Sequence, residues 1–79
     1  MQVLGHTALT WACRHGNTAA VEVLSERGAN VDRPTGPKQR TPLAIAAMHG
    51  HHQIVRMLLE RGAEAAAADI DGATAADLA

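Results

Sequence analysis

The sequence contains no Phe and no Tyr, and Trp11 is its one aromatic residue. A core of large, interlocking aromatic rings is therefore excluded. Cysteine is nearly absent too. Cys13 stands alone, so no internal disulfide can staple the fold, and a reducing compartment, cytoplasm or nucleus, is the expectation. No apolar run approaches the roughly 20 residues of a membrane span. The stretch from Met1 to Gly5 lacks a basic region followed by an apolar one, so neither membrane insertion nor a secretory signal is read from it. A formal net charge of −1 is far from the basic excess that marks a chain built around nucleic acid or anionic membranes.

What the sequence does contain is alanine. The chain has 79 residues and is 47% hydrophobic, but seventeen of the apolar residues are Ala. A domain of this size buries only about 60% of the surface its unfolded chain exposes. Small residues in close contact are thus expected in place of a thick core. The chain also repeats itself. Thr7-Ala8-Leu9 returns as Thr41-Pro42-Leu43 and as Thr74-Ala75-Ala76, at offsets of 34 and 33 residues. Gly16 matches Gly50, and Leu24-Ser25-Glu26-Arg27-Gly28-Ala29 matches Leu58-Leu59-Glu60-Arg61-Gly62-Ala63 with one difference. Several matches in one register establish a repeat where a single match would not.

Each unit reads as two short helices followed by an extended loop. Thr41 offers an N-cap oxygen, and Pro42 occupies the first helical position, where its missing N–H costs nothing. Leu43, Ala46 and Ala47 fall at helical spacing, and Gly50 ends that helix. In the second helix, Ile54, Val55, Leu58 and Leu59 are expected on one face, with Gln53, Arg56 and Glu60 on the other. Residues 17–27 follow the same plan with Ala20 and Ser25 in place of Ile54 and Leu59. Residues 28–40 hold two Pro, two Gly and no apolar residue after Val31, so a loop or tight hairpin is expected there. Ala65 to Ala68 alone would favour helix, but the register aligns them with that loop, and the register is followed.

This pattern resembles the ankyrin repeat, a unit of about 33 residues with a turn, two antiparallel helices and a T-P-L-H-x-A-A signature. The unit starting at Thr41 is similar along its whole length. The one starting at Thr7 is looser, and a third begins at Asp69-Ile70-Asp71-Gly72-Ala73-Thr74. The resemblance implies an all-α solenoid of stacked helix-turn-helix units joined by hairpin-like loops. It divides a single segment, 1–79, into repeats at about 5–37, 38–71 and 72–79, the last partial. Thr10, Ala44 and Asp77 replace the signature His, so the usual His-to-Thr hydrogen bond is expected to be absent or altered. Gln39 stands where the later copy has Gly72, so an irregular loop tip is expected. Trp11 shares its register with Ile45 and Leu78, which suggests a stacking position between repeats. Because such arrays bury apolar faces against neighbours, the chain is expected to be part of a longer array or to self-associate end to end.

Little in the chain points to chemistry. His49, His51 and His52 cluster, but a zinc site needs four convergent ligands, Cys13 has no second Cys, and no acid lies beside these His. They read as structural or solvent-facing. Cys13 falls on the second Ala of the signature, a small buried position where a thiol is inert. Ser25 has no His or acid at helical contact spacing, and the seven Gly are dispersed over repeat positions rather than gathered in a phosphate loop. No enzyme, cofactor or metal is expected.

Charge is distributed unevenly. Residues 33–61 carry Arg33, Lys38, Arg40, Arg56 and Arg61 against Glu60 alone, and residues 62–79 carry Glu64, Asp69, Asp71 and Asp77 with no base. Either these charges cancel along the stack, or Arg33, Lys38 and Arg40 form a basic loop tip for an acidic partner. Nucleic acid is disfavoured, because no aromatic residue is interleaved to stack on bases. What is known of similar repeats implies partner contacts at loop tips, at the residue before Thr and at the two residues before the first Gly. Here those are His6, Arg14 and His15 in the first unit, Lys38, Arg40, Met48 and His49 in the second, and Ile70, Asp71 and Ala73 in the third. A protein-interaction module with no chemistry of its own is the leading expectation. A structural spacer in a longer array, and a regulatory module of an enzyme whose catalytic part lies elsewhere, are the alternatives.

Overall fold

A computed structural model describes the backbone of residues 2–3 and 6–78 and the side chains of residues 8–78. Two short strands, β1 (Gln2–Val3) and β2 (His6–Thr7), pair antiparallel with Gln2 opposite Thr7. Five helices follow: α1 (Ala8–His15), α2 (Thr18–Glu26), α3 (Pro42–Met48), α4 (His52–Glu60) and α5 (Ala75–Leu78). α1 packs on α2 and α3 on α4 within units, while α1·α3, α2·α4 and α3·α5 pack between units. The result is a stack with an inner row of α1, α3 and α5 and an outer row of α2 and α4. Residues 63–74 contain no helix, so the alanine run is loop, as the register required.

Local chemistry explains the helix ends. Thr41 is extended (φ −75°, ψ 161°), its Oγ1 accepts a hydrogen bond from the Ala44 N–H at 3.2 Å, and Pro42 opens the helix. Asn17 caps α2 likewise, its Oδ1 accepting from the Ala20 N–H at 3.1 Å. In the third unit Asp77 takes over from the missing signature His. Its Oδ2 accepts from both the Thr74 N–H (2.9 Å) and the Thr74 hydroxyl (3.1 Å), the return half of a capping box.

The core is thin and alanine-rich, as the composition requires. Leu9, Cys13, Val21, Leu43, Ala46, Ile54 and Leu58 are at most 2% exposed, and they form one cluster spanning both complete units. Every buried side-chain polar atom among the described residues has a partner. No helix among those residues is long and apolar enough to cross a membrane.

Two expectations are corrected. Leu59 does not share the buried face of Ile54 and Leu58; it is 44% exposed and lines an apolar cleft with Leu43, Ala47, His52, Val55, Ala65, Ala75 and Ala76. Val21, which stands at the position of Val55, is fully buried on α2, which packs on α4, whereas Val55 is only half-buried and lies in this cleft. Trp11 is not wedged between repeats. Its register mate Ile45 is 5% exposed, but Trp11 is 42% exposed and stacks on His15 of its own helix at 4.6 Å.

Candidate functional site

The loop tips are hairpins of two sizes. In the second unit Thr35 and Arg40 bridge, each backbone N–H donating to the other's carbonyl at 2.9 and 3.0 Å. In the third, the Asp69 N–H donates to the Ala73 carbonyl at 2.9 Å, a turn one residue shorter. Both reverse direction through a left-handed residue. Gly72 (φ 81°) has no side chain to strain, whereas Gln39 (φ 54°) is the one non-glycine residue with positive φ among those described. Gln39 offsets part of that strain by donating from Nε2 to the Gly36 carbonyl at 2.8 Å. The irregular tip expected from its substitution is thus a left-handed Gln.

Asp69 anchors the third hairpin. Its Oδ1 accepts from the N–H groups of Asp71 and Ala73 at 2.9 and 3.0 Å, and its Oδ2 accepts from Arg40 Nε at 3.1 Å. The Ala73 N–H does most to hold its carboxyl below the usual carboxylate range. Burial opposes the lowering, and the Asp71 N–H and the Arg40 guanidinium add to it. Lys38 pairs with Asp71 at 2.9 Å, and the Ile70 N–H donates to the Lys38 carbonyl at 3.0 Å. Lower in the stack, Asp32 Oδ1 accepts from the Glu64 N–H at 2.7 Å, and Arg61 approaches Glu26 at 3.8 Å. The charges therefore cancel along the stack. Lys38 and Arg40 do not form an unopposed basic tip, because the next hairpin brings Asp71 and Asp69 against them.

At the turn between α3 and α4, His51 Nε2 donates to the Arg14 carbonyl of the first unit at 3.0 Å. Its ring lies over Gly16, where a Cβ would come within 2.7 Å of it. His49 Nδ1 donates to the Ile45 carbonyl at 2.9 Å, and the His49 and His51 rings lie nearly parallel, 6.3 Å apart. These His side chains are occupied with backbone carbonyls, and no group of three His, Cys, Asp or Glu among the described residues is placed to hold a metal ion. Cys13 is fully buried, and desolvation pushes its thiol up to about 12, so it stays protonated at neutral pH.

Five of the ten residues singled out from the sequence come together. Arg14, Lys38, Arg40, Met48 and His49 line one cleft of about 230 Å³ between the second hairpin and the inner helices, with Thr35, Gly36, Pro37 and Ile45. Arg14 lies in the last turn of α1, where a cation is favoured by the helix dipole, and Met48 is 38% exposed. The others lie apart from this cleft. His15 stacks on Trp11. Ile70, 63% exposed, and Asp71 sit on the third hairpin, and Ala73 gives its N–H and carbonyl to Asp69. The side chain of His6 lies outside the described residues. Sequence reasoning missed Thr35, Gly36, Pro37 and Ile45 as lining residues; the signal available was that a hairpin closing on Arg40 must bring its whole tip over α3.

No curated protein matches the chain. A family model described as ankyrin repeats (3 copies) matches residues 1–79. With the stack, the capped inner helices and the hairpin tips in view, the chain belongs to the ankyrin repeat family, whose members generally serve as protein–protein interaction modules and are typically non-catalytic.

Proposed function

We propose that this chain is a protein-interaction module that engages its partner through the loop tips and the concave face of the inner helices, with no chemistry of its own. The observation that carries this reading is the cleft, in which Arg14 of the first unit meets Lys38, Arg40, Met48 and His49 of the second on one solvent-open surface. A surface built from two stacked units offers a partner a fixed spacing that one unit cannot hold. The half-exposed Met48 adds an adaptable apolar contact. The lone buried thiol suits a reducing compartment, cytoplasm or nucleus.

The test is affinity capture from cell lysate with three folded baits: the chain itself, Arg14→Glu with Met48→Ala, and Arg56→Glu on the exposed outer row. A protein retained by the first and third and lost by the second supports the module and names its partner. Equal retention by all three removes the concave face from the account. A second reading, a structural spacer, has one observation in its favour: Lys38, Arg40 and Asp71 are already engaged with each other's hairpins. Equal retention would bring it to the front.

A further inference from the structure

We infer that the cleft between the second hairpin and the inner helices receives one carboxylate with an aliphatic side chain beside it, presented by an extended peptide segment of the partner. This rests on the interaction reading above and specifies the partner's chemistry. Arg14, Lys38 and Arg40 line the cleft, and no acidic residue does. Two of these cations are already matched by acids of the next hairpin, Lys38 by Asp71 at 2.9 Å and Arg40 by Asp69 at 3.1 Å. Arg14 has no acidic partner among the described residues. The charge in excess is therefore a single guanidinium, whose planar fork matches one carboxylate through two parallel N–H groups.

The rest of the wall sets three apolar side chains among Thr35, Gly36 and His49. Pro37, Ile45 and Met48 stand beside the cations, so a ligand that satisfies both kinds of wall carries an aliphatic group next to its carboxylate. A volume of about 230 Å³ admits a side chain or two of an extended segment but not an α-helix, whose diameter with side chains is about 10–12 Å. A polyanion fits poorly. It would run from the cleft onto residues 62–79, where Glu64, Asp69, Asp71 and Asp77 stand with no base, and no aromatic residue lines the cleft to stack on a base.

The test is selection of a random 12-residue phage-displayed library on the immobilised chain, followed by anisotropy titration of a labelled peptide made from a selected sequence. Retained sequences are expected to be enriched, over the input library, in Asp or Glu adjacent to Leu, Ile, Val or Met. Binding of the labelled peptide should fall roughly tenfold or more with Arg14→Glu, fall several-fold with Met48→Ser, fall less with Arg14→Lys, which keeps the charge but loses the fork, and weaken as salt rises. Changing the peptide's acid to its amide should cost as much as Arg14→Glu. Circular dichroism establishes that each variant is folded. Retained sequences without acidic enrichment, binding indifferent to Arg14→Glu, or displacement by a single-stranded oligonucleotide overturns the carboxylate site while leaving the interaction reading intact. An empty selection also overturns it, and the lysate comparison then decides the broader reading independently.

Discussion

At Gly16 the backbone is left-handed (φ 73°), and the His51 ring occupies the space where a side chain would begin. Two demands fall on one residue, and only glycine meets both. Gly16→Ala is expected to lower stability by about 1–3 kcal/mol, measured by urea unfolding, and to release the His51 hydrogen bond to the Arg14 carbonyl. A loss within a few tenths of a kcal/mol would mean that the two turns are not locked together. Asp69 makes a pH-dependent contribution of known sign. Its folded-state pKa is depressed, so its stabilisation is complete above the ordinary carboxylate range and is lost as pH falls through the lower, folded value. Asp69→Asn is therefore expected to unfold at lower temperature at neutral pH, with the gap to the parent chain closing as acid protonates the parent's carboxyl. Melting curves that stay equally far apart down to the lowest pH would contradict that assignment.

Among the elements, α4 gives the sharpest contrast. Leu58 is fully buried and Leu59, its neighbour, is 44% exposed. Leu58→Ala should cost about 2–5 kcal/mol through lost burial and the cavity left behind. Leu59→Ala should cost about 1 kcal/mol, since nearly half of its surface already lies in solvent and no sealed cavity is left behind. Similar losses for the two would show that Leu59 is covered in solution. The contrast also marks what was legible. Helical periodicity assigns both leucines to one broad apolar stripe, because i and i+4 matches describe a face and not the neighbour that covers it. Burial of one leucine and exposure of the next depends on where the following unit places a helix, which a 3.6-residue period cannot contain. By contrast, the Thr41 cap, Pro42 and the glycine stops are local signals, and each appears where the sequence put it. The alanine run at 65–68 was readable as loop only through the repeat register, which outweighed a strong intrinsic preference for helix.

For the whole molecule, the register carries electrostatic information that the linear charge map obscures. Lys38 and Asp71 occupy corresponding loop-tip positions 33 residues apart, so stacking makes them neighbours. Read one residue at a time, residues 33–61 look like a basic patch; read one repeat apart, they are half of an inter-unit ladder. Both partners of the Lys38–Asp71 pair are about half exposed. Lys38→Ala is therefore expected to change stability by no more than about 1 kcal/mol, with the difference shrinking further in high salt; chemical denaturation at two salt concentrations checks this. A much larger loss would mean that the third hairpin is held mainly by that pair rather than by Asp69 and the backbone. The candidate cleft was only half readable for the same reason. Arg14, Met48 and His49 follow from their place before the first glycine, but the hairpin wall from Thr35 to Pro37 depends on how the longer loop folds back over α3.

The central claim is that the stacked inner helices and the second hairpin form one partner-reading surface. Its most direct measurement is a ¹H–¹⁵N correlation titration of the labelled chain with a captured partner segment. Perturbed amides are expected to gather at the end of α1, along residues 35–40 and at residues 45–49, and Arg14→Glu is expected to abolish the perturbation. Shifts gathered instead on the outer faces of α2 and α4, and indifferent to Arg14→Glu, would contradict it.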